Sequence, residues 1–252
     1  MQRRLFFSWL LRAMSRPALG MVLVLAGAGQ ATAMAAVELE SGQTASPRRA
    51  NFHQEKPSAD ARHVADWVVD SADSAGMPFI IVDKVDARVF VFERDGRLRG
   101  ASPVLIGLAL GDQSVPGIGS RKLSTIRPDE RTTPAGRFVA ALDRSLGGEE
   151  ILWVDYDSGV ALHRVKATLP KERRLQRLES AWPLEHRITY GCINVPVEFY
   201  DKIVSPAFTG TNGVVYVLPD TRPVREVFGS YDVGDRTVTA GRQGGSVPGS
   251  SP

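Results

Sequence analysis

The chain has 252 residues with a single cysteine and four histidines, and 31 Lys and Arg against 28 Asp and Glu give it a net charge of +3. The basic residues are interspersed with acidic ones instead of lining one face, which excludes a nucleic-acid footprint. One cysteine excludes a disulfide framework within the chain.

The first segment is ordered as basic, apolar, then small. Arg3, Arg4, Arg12 and Arg16 precede the apolar run Ala18 to Ala28, and Ala31 to Ala36 is built of small residues around Thr32 and Met34. That order predicts a signal peptide over 1–35, cleaved after Ala33 or Ala35, and hence a periplasmic or secreted protein. The competing reading is an uncleaved anchor, since Leu5 to Leu11 is also apolar, but each stretch falls short of the roughly 20 residues a membrane-spanning helix needs. Cleavage leaves no segment able to span a bilayer and some two hundred residues, enough for one well-packed domain.

Residues 36–59 are polar and predict a flexible leader. Val64, Trp67, Val68 and Ala72 recur at helical spacing from Asp60, with Gly76 as the stop, predicting an amphipathic helix that opens a domain over 60–222. The period then changes to two. Phe79 to Val82, Arg88 to Glu93 and Leu98 to Ile106 read as a meander of strands, with Asp95 and Gly96 in a hairpin turn. Gly107 to Thr132 is rich in Gly, Pro, Ser and charge, as in a lid, a binding loop or a disordered connection. Further strands are predicted at Arg137 to Leu142, Ile151 to Val154, Val160 to Val165 and Val214 to Leu218, and helices at Pro170 to Ser180 and Val197 to Val204. Residues 223–252 form an extension whose Gly, Ser and Pro content from about 241 predicts disorder. The fold class is therefore mainly β with a few helices.

Cys192 sits in the hexapeptide Thr189, Tyr190, Gly191, Cys192, Ile193, Asn194. In an oxidising compartment a lone thiol is a free reactive group, an intermolecular bridge or a small buried hydrophobe, and the first fits best. A nucleophilic thiol requires a base, donors for the oxyanion and a bed that orients both. Gly191 lets a carbonyl approach the backbone. His53 falls in the leader and His63 in the first helix, which leaves His163 and His186 as bases. His163 is favoured because a strand places a catalytic group accurately, although a strand histidine is more often structural.

The segment Thr189 to Asn194 resembles the active-site signature of the L,D-transpeptidase catalytic domain. Ala161, Leu162 and His163 look like the strand carrying that family's catalytic histidine, and Thr133, Pro134, Ala135 and Gly136 followed by Phe138 resemble its Thr-Pro-x-Gly turn. The resemblance covers roughly Pro78 to Leu218 and implies a β-sandwich or barrel, Cys192 as nucleophile and His163 as base. It also implies backbone amides of Tyr190, Gly191 and Cys192 for the oxyanion, with Thr189 and Asn194 bracing the loop. The implied substrates are peptidoglycan tetrapeptide stems, with another stem, a lipoprotein lysine or water as acceptor, and with no cofactor and no metal. Carbapenems are the implied inhibitors. Arg121 and Arg127 in the Gly107 to Thr132 segment are candidates for a stem carboxylate. There are two departures: Tyr190 replaces the family's second histidine, and the interval from His163 to Cys192 is longer than usual. The excess falls around Lys171 to Trp182 and reads as a solvated surface helix in preference to the alternative, a substrate clamp.

Overall fold

Alternating apolar residues on both faces dictate a sheet that must be covered twice, and the structure covers it once with a helix and once with itself. In the computed structural model, residues 46–235 are described. The segment expected to be an export signal, 1–35, and the tail expected to be disordered from about 241 lie outside the described residues. No described helix is long and apolar enough to cross a membrane.

Helix α1, Ala59–Ser71, starts at Ser58, whose Oγ accepts from the Ala61 amide at 3.0 Å. It stops five residues before the predicted Gly76, because Ala72 takes a left-handed conformation and its amide returns to the Val68 carbonyl. The strands are β1 Phe79–Asp83, β2 Arg88–Phe92, β3 Leu98–Pro103, β4 Ile106–Gly107, β5 Gly136–Arg144, β6 Glu150–Asp155, β7 Val160–Arg164, β8 Arg187–Thr189, β9 Ile193–Val195 and β10 Gly213–Val217. Eight of them form one mixed sheet in the order β3-β2-β1-β10-β5-β6-β7-β9, and β4 pairs with β8. The predicted strand Leu98 to Ile106 is broken in two at Pro103, which has no amide for the ladder.

Period two sorts the core. Phe79, Ile81, Phe90, Phe92, Val214 and Tyr216 face α1 and its fully buried Val64 and Val68. Each of those two valines is worth about 1.5–3 kcal/mol of burial. Ile80, Val82, Val89 and Val91 face the other way and share a cluster with Leu152, Leu162, Ile193 and Val195. One end of the sheet thus curls onto the other, and paired hydrogen bonds of 2.8 Å between Leu105 and Asn194 nearly close it into a barrel.

Several expectations are corrected. The leader is not free throughout: Ala50 and Phe52 are buried on the α1 side, Phe52 edge-on to Phe90 and Phe92, because an aromatic gap there needs filling. Beyond 222, Val224 and Val233 join the same core around helix α5, Val224–Phe228. Strands β8 and β9 and helix α5 were not predicted. The predicted helix Pro170 to Ser180 is a short turn at Pro170–Glu172 followed by α2, Arg174–Leu178. The helix predicted from Val197 continues through α3, Val197–Phe199, a wide turn at Tyr200–Val204 and α4, Ser205–Phe208. Within Gly107 to Thr132, three short turns and the buried Ile118 and Ile126 set aside the disordered connection among the three expected alternatives.

Four charges are buried together beneath this loop. Lys84, fully buried at the end of β1, donates to Asp112 at 3.1 Å, to the Gly111 carbonyl at 2.6 Å and to the Thr133 carbonyl at 2.9 Å, and lies 3.3 Å from Asp220. Arg187 of β8 donates to Asp220 at 2.6 Å. Burial alone would raise the Asp112 carboxyl, but hydrogen bonds from Thr221, the Asp220 amide and Lys84 outweigh it and hold the group at about 2. Its stabilising contribution is therefore complete above the ordinary value of 3.8 and lost as the pH falls toward about 2. Lys84→Ala, which leaves Asp220 with Arg187 alone and takes from the buried Asp112 its lysine partner, is expected to cost about 3–5 kcal/mol in urea unfolding. A loss below about 1 kcal/mol would contradict the structural weight given to this cluster.

Candidate active site

The cysteine loop is fixed by small residues before any chemistry is asked of it. Gly191 has φ +129, and a Cβ there would meet the Thr132 carbonyl oxygen at 2.9 Å, so only glycine fits without strain. Thr189, fully inside, donates from Oγ1 to the Cys192 carbonyl at 2.6 Å and accepts from the Gly191 amide at 3.1 Å. Thr133 of the Thr-Pro-x-Gly turn donates to the Gly191 carbonyl at 2.8 Å and accepts from the Gly107 amide at 2.8 Å. Lys84 holds the Thr133 carbonyl, so the buried charges are one residue removed from the loop.

Strands β7 and β9 run parallel, with Leu162 opposite Ile193 and His163 opposite Asn194. Leu162 and Ile193 point to the core. Alternation then sends His163 and Asn194 to the opposite face, and Cys192, one residue before β9, falls beside Ala161 on that same face. The half-buried Cys192 donates from Sγ to the Gly159 carbonyl at 3.8 Å. Burial pushes its thiol pKa up, while the Ala161 amide and the Arg174 charge pull it down.

His163 Nδ1 lies 2.8 Å from the Arg164 carbonyl. A carbonyl only accepts, so Nδ1 carries the proton and Nε2 the lone pair. Asn194 Nδ2 donates to that lone pair at 3.1 Å. Burial holds the imidazole below its usual pKa, with Lys166 and Arg174 acting in the same direction against the Arg164 carbonyl and Glu149. His163 and Cys192 share no hydrogen bond in this state, in which both groups are neutral. His163 also lines a cleft of about 430 Å³ together with Arg144, Glu149, Ile151, Lys166 and Val197.

The other sequence candidates are placed as follows. His186 is buried with its two ring nitrogens 3.0 Å and 3.1 Å from the Val104 and Ser180 carbonyls, a structural position remote from base duty. The Gly191 amide is committed to Thr189 and is not offered to an oxyanion. That leaves the Tyr190 and Cys192 amides of the proposed three. The Tyr190 ring packs under the Arg131 guanidinium at 3.9 Å. Arg121 pairs two-pronged with Glu130, at 3.0 Å and 3.2 Å, and Arg127 pairs with Asp129 at 3.1 Å and 3.2 Å, so both forks are filled from within their own loop. That loop borders the site by its backbone, Gly119 packing on Asp157 and Gly159 and Thr132 on Gly191. Sequence reasoning missed Arg174, which reaches Asn194 Oδ1 at 2.7 Å from the segment read as a solvated helix. Its signal was the excess length itself. Among the described residues no group of three or more His, Cys, Asp or Glu side chains is arranged to hold a metal ion.

No family model and no curated protein matches the chain. Among solved structures it is similar to the catalytic domain of the Enterococcus faecium L,D-transpeptidase, at 18% identity and TM-score 0.34 over 56% of this chain and 96% of that one. An L,D-transpeptidase from Mycobacterium tuberculosis is 17% identical at TM-score 0.35, over 56% of this chain and 57% of its own. The helical cell shape determining protein Pgp2 from Campylobacter jejuni is 16% identical at TM-score 0.36, over 58% and 49%. The chain thus spans about half the length of the latter two.

Gly191→Ala is expected to cost about 1–3 kcal/mol in thermal unfolding through backbone strain and to slow alkylation of Cys192 by iodoacetamide. Wild-type stability together with a wild-type alkylation rate would show that the loop tolerates a side chain.

Proposed function

We propose that this chain is a periplasmic cysteine L,D-transpeptidase acting on peptidoglycan tetrapeptide stems. The observation that carries the reading is the arrangement of His163 and Cys192 on one face of two neighbouring parallel strands, with the imidazole Nδ1 committed to a backbone carbonyl and Nε2 left as the basic nitrogen. The motifs around Thr133 and Thr189 to Asn194 support it by locking the loop that carries the thiol.

In the first half-reaction His163 Nε2 takes the Cys192 proton and Sγ attacks the carbonyl at the L-centre of the third stem residue, commonly diaminopimelate. The Tyr190 and Cys192 amides stabilise the oxyanion. The carbon–nitrogen bond breaks, the proton passes from His163 to the leaving amine, and terminal D-alanine departs from a thioester on Cys192. In the second half-reaction an amine or water attacks that thioester, His163 Nε2 accepts the nucleophile's proton, and as the carbon–sulfur bond breaks that proton passes to Sγ and returns the thiol. The side-chain amine of another stem yields a cross-link, a lipoprotein lysine yields an anchored protein, and water yields the trimmed stem of an L,D-carboxypeptidase. No step calls for a metal or organic cofactor. The signal over 1–35 delivers the chain to this substrate.

A second reading, a wall-binding module without turnover, is favoured by two features: Tyr190 in place of a second histidine and the occupation of Nε2 by Asn194. Intact mass after exposure to a carbapenem separates the two. An adduct in the wild type that disappears in Cys192→Ala is expected for the enzyme, whereas an unmodified folded wild type points to the module. His163→Ala is expected to fold and to lose about 10²–10⁴-fold in stem turnover; unchanged turnover would remove His163 as the base. Muropeptide products then distinguish cross-linking from trimming.

A further inference from the structure

The segment between β7 and β8 enters the site through one side chain. Arg174 opens α2, which is anchored beside the cysteine loop by Leu178 packed against Leu105 and Val165. Its Nε donates to Glu172 at 2.6 Å, and its side chain is only 14% exposed. Its terminal nitrogen donates to Asn194 Oδ1 at 2.7 Å, while Asn194 Nδ2 donates to His163 Nε2 at 3.1 Å. These bonds form a directed chain that ends at the Nδ1–Arg164 carbonyl contact.

Arg174 decides which end of the amide meets the histidine. A flipped Asn194 would set its NH₂ against the guanidinium and its oxygen against the Nε2 lone pair, replacing two hydrogen bonds by two like-to-like contacts. The preferred orientation has a chemical consequence: the lone pair that must receive the thiol proton is already engaged. A carboxylate competes well for Arg174, because a charge-assisted two-pronged pair is stronger than one bond to a neutral amide oxygen.

We propose that Arg174 is a positioning residue and a latch, holding Asn194 on His163 Nε2 until a carboxylate of the incoming stem peptide takes the guanidinium and frees Nε2 for the Cys192 proton. This rests on the reading of Cys192 and His163 as nucleophile and base. His163 is also faced by Lys166 and Glu149 and, across its cleft, by Arg144, Glu150 and Arg164. None of these touches the Asn194 amide in the way Arg174 does.

Nitrogen NMR of the histidines in the full folded chain reads the state of His163 without any substrate. The wild type is expected to hold the Nδ1–H tautomer. Arg174→Met releases the amide to turn its oxygen toward a protonated Nε2, raising the His163 midpoint by about one pH unit. Arg174→Lys, which keeps a donor, restores most of the wild-type value. In an Asn194→Ala background, Arg174→Met should move the midpoint clearly less, since only the bare charge is lost. Equal shifts in the two backgrounds, or no shift in either, would overturn the latch. A second measurement covers the case of an unfolded Arg174→Met: acetate, as the carboxylate probe, should accelerate alkylation of Cys192 saturably in the wild type and not in Asn194→Ala. A wild-type rate indifferent to acetate would overturn the release step. Absence of stem turnover with these titrations intact would sink the proposed function and with it the release step, leaving only the orienting chain from Arg174 through Asn194 to His163.

Discussion

Four charges out of water set the terms for everything around them. Lys84, Asp112, Asp220 and Arg187 are almost wholly buried, and removing such ions from solvent costs several kcal/mol each unless every donor and acceptor is met. They are met only when the end of β1, the loop after β4, strand β8 and the chain after β10 arrive together, because each contributes one charge. Lys84 then spends its third bond on the Thr133 carbonyl, and Thr133 spends its hydroxyl on the Gly191 carbonyl. The position of the thiol is thereby tied to an arrangement that has no cheap alternative.

The barrel-like closure does the rest. Asn194 lies at the seam, bonded through its backbone to Leu105 and through its side chain to His163 and Arg174. The residues flanking it, Ile193 and Val195, are in the core, so a one-residue slip in β9 would turn the Asn194 amide into the apolar cluster and turn Ile193 and Val195 out of it. Register and site geometry are specified by the same alternation. Burial is also the largest influence on both groups of that face, pushing the Cys192 thiol pKa up and holding the His163 imidazole below its usual value.

The legible parts of the sequence were those carried by local pattern. Helix α1 and the long strands announced themselves by period, and Thr133, Gly191 and Thr189 by motif. The misses share a cause. Strands β8 and β9 have three residues each, too few for any period to register. Lys84 reads as an ordinary surface lysine until its carboxylates, far away in sequence, are seen around it. Ala50 and Phe52 look like part of a polar leader because their partners, Phe90 and Phe92, lie across a hairpin. Arg121 and Arg127 looked available because their acidic partners, although nearby in sequence, could as easily have faced solvent.

What the sequence by itself determined is the β-rich class, the singular thiol, the histidine strand and the glycine before the cysteine, since each follows from residue type and short-range spacing. Only the tertiary structure decided that His163 faces Asn194 instead of the thiol, that Arg174 reaches the site and that Gly191 has already spent its amide. Those facts depend on strand register and on contacts between segments distant along the chain, where the choice among many sterically allowed pairings is made by burial and by the need to satisfy every buried polar group.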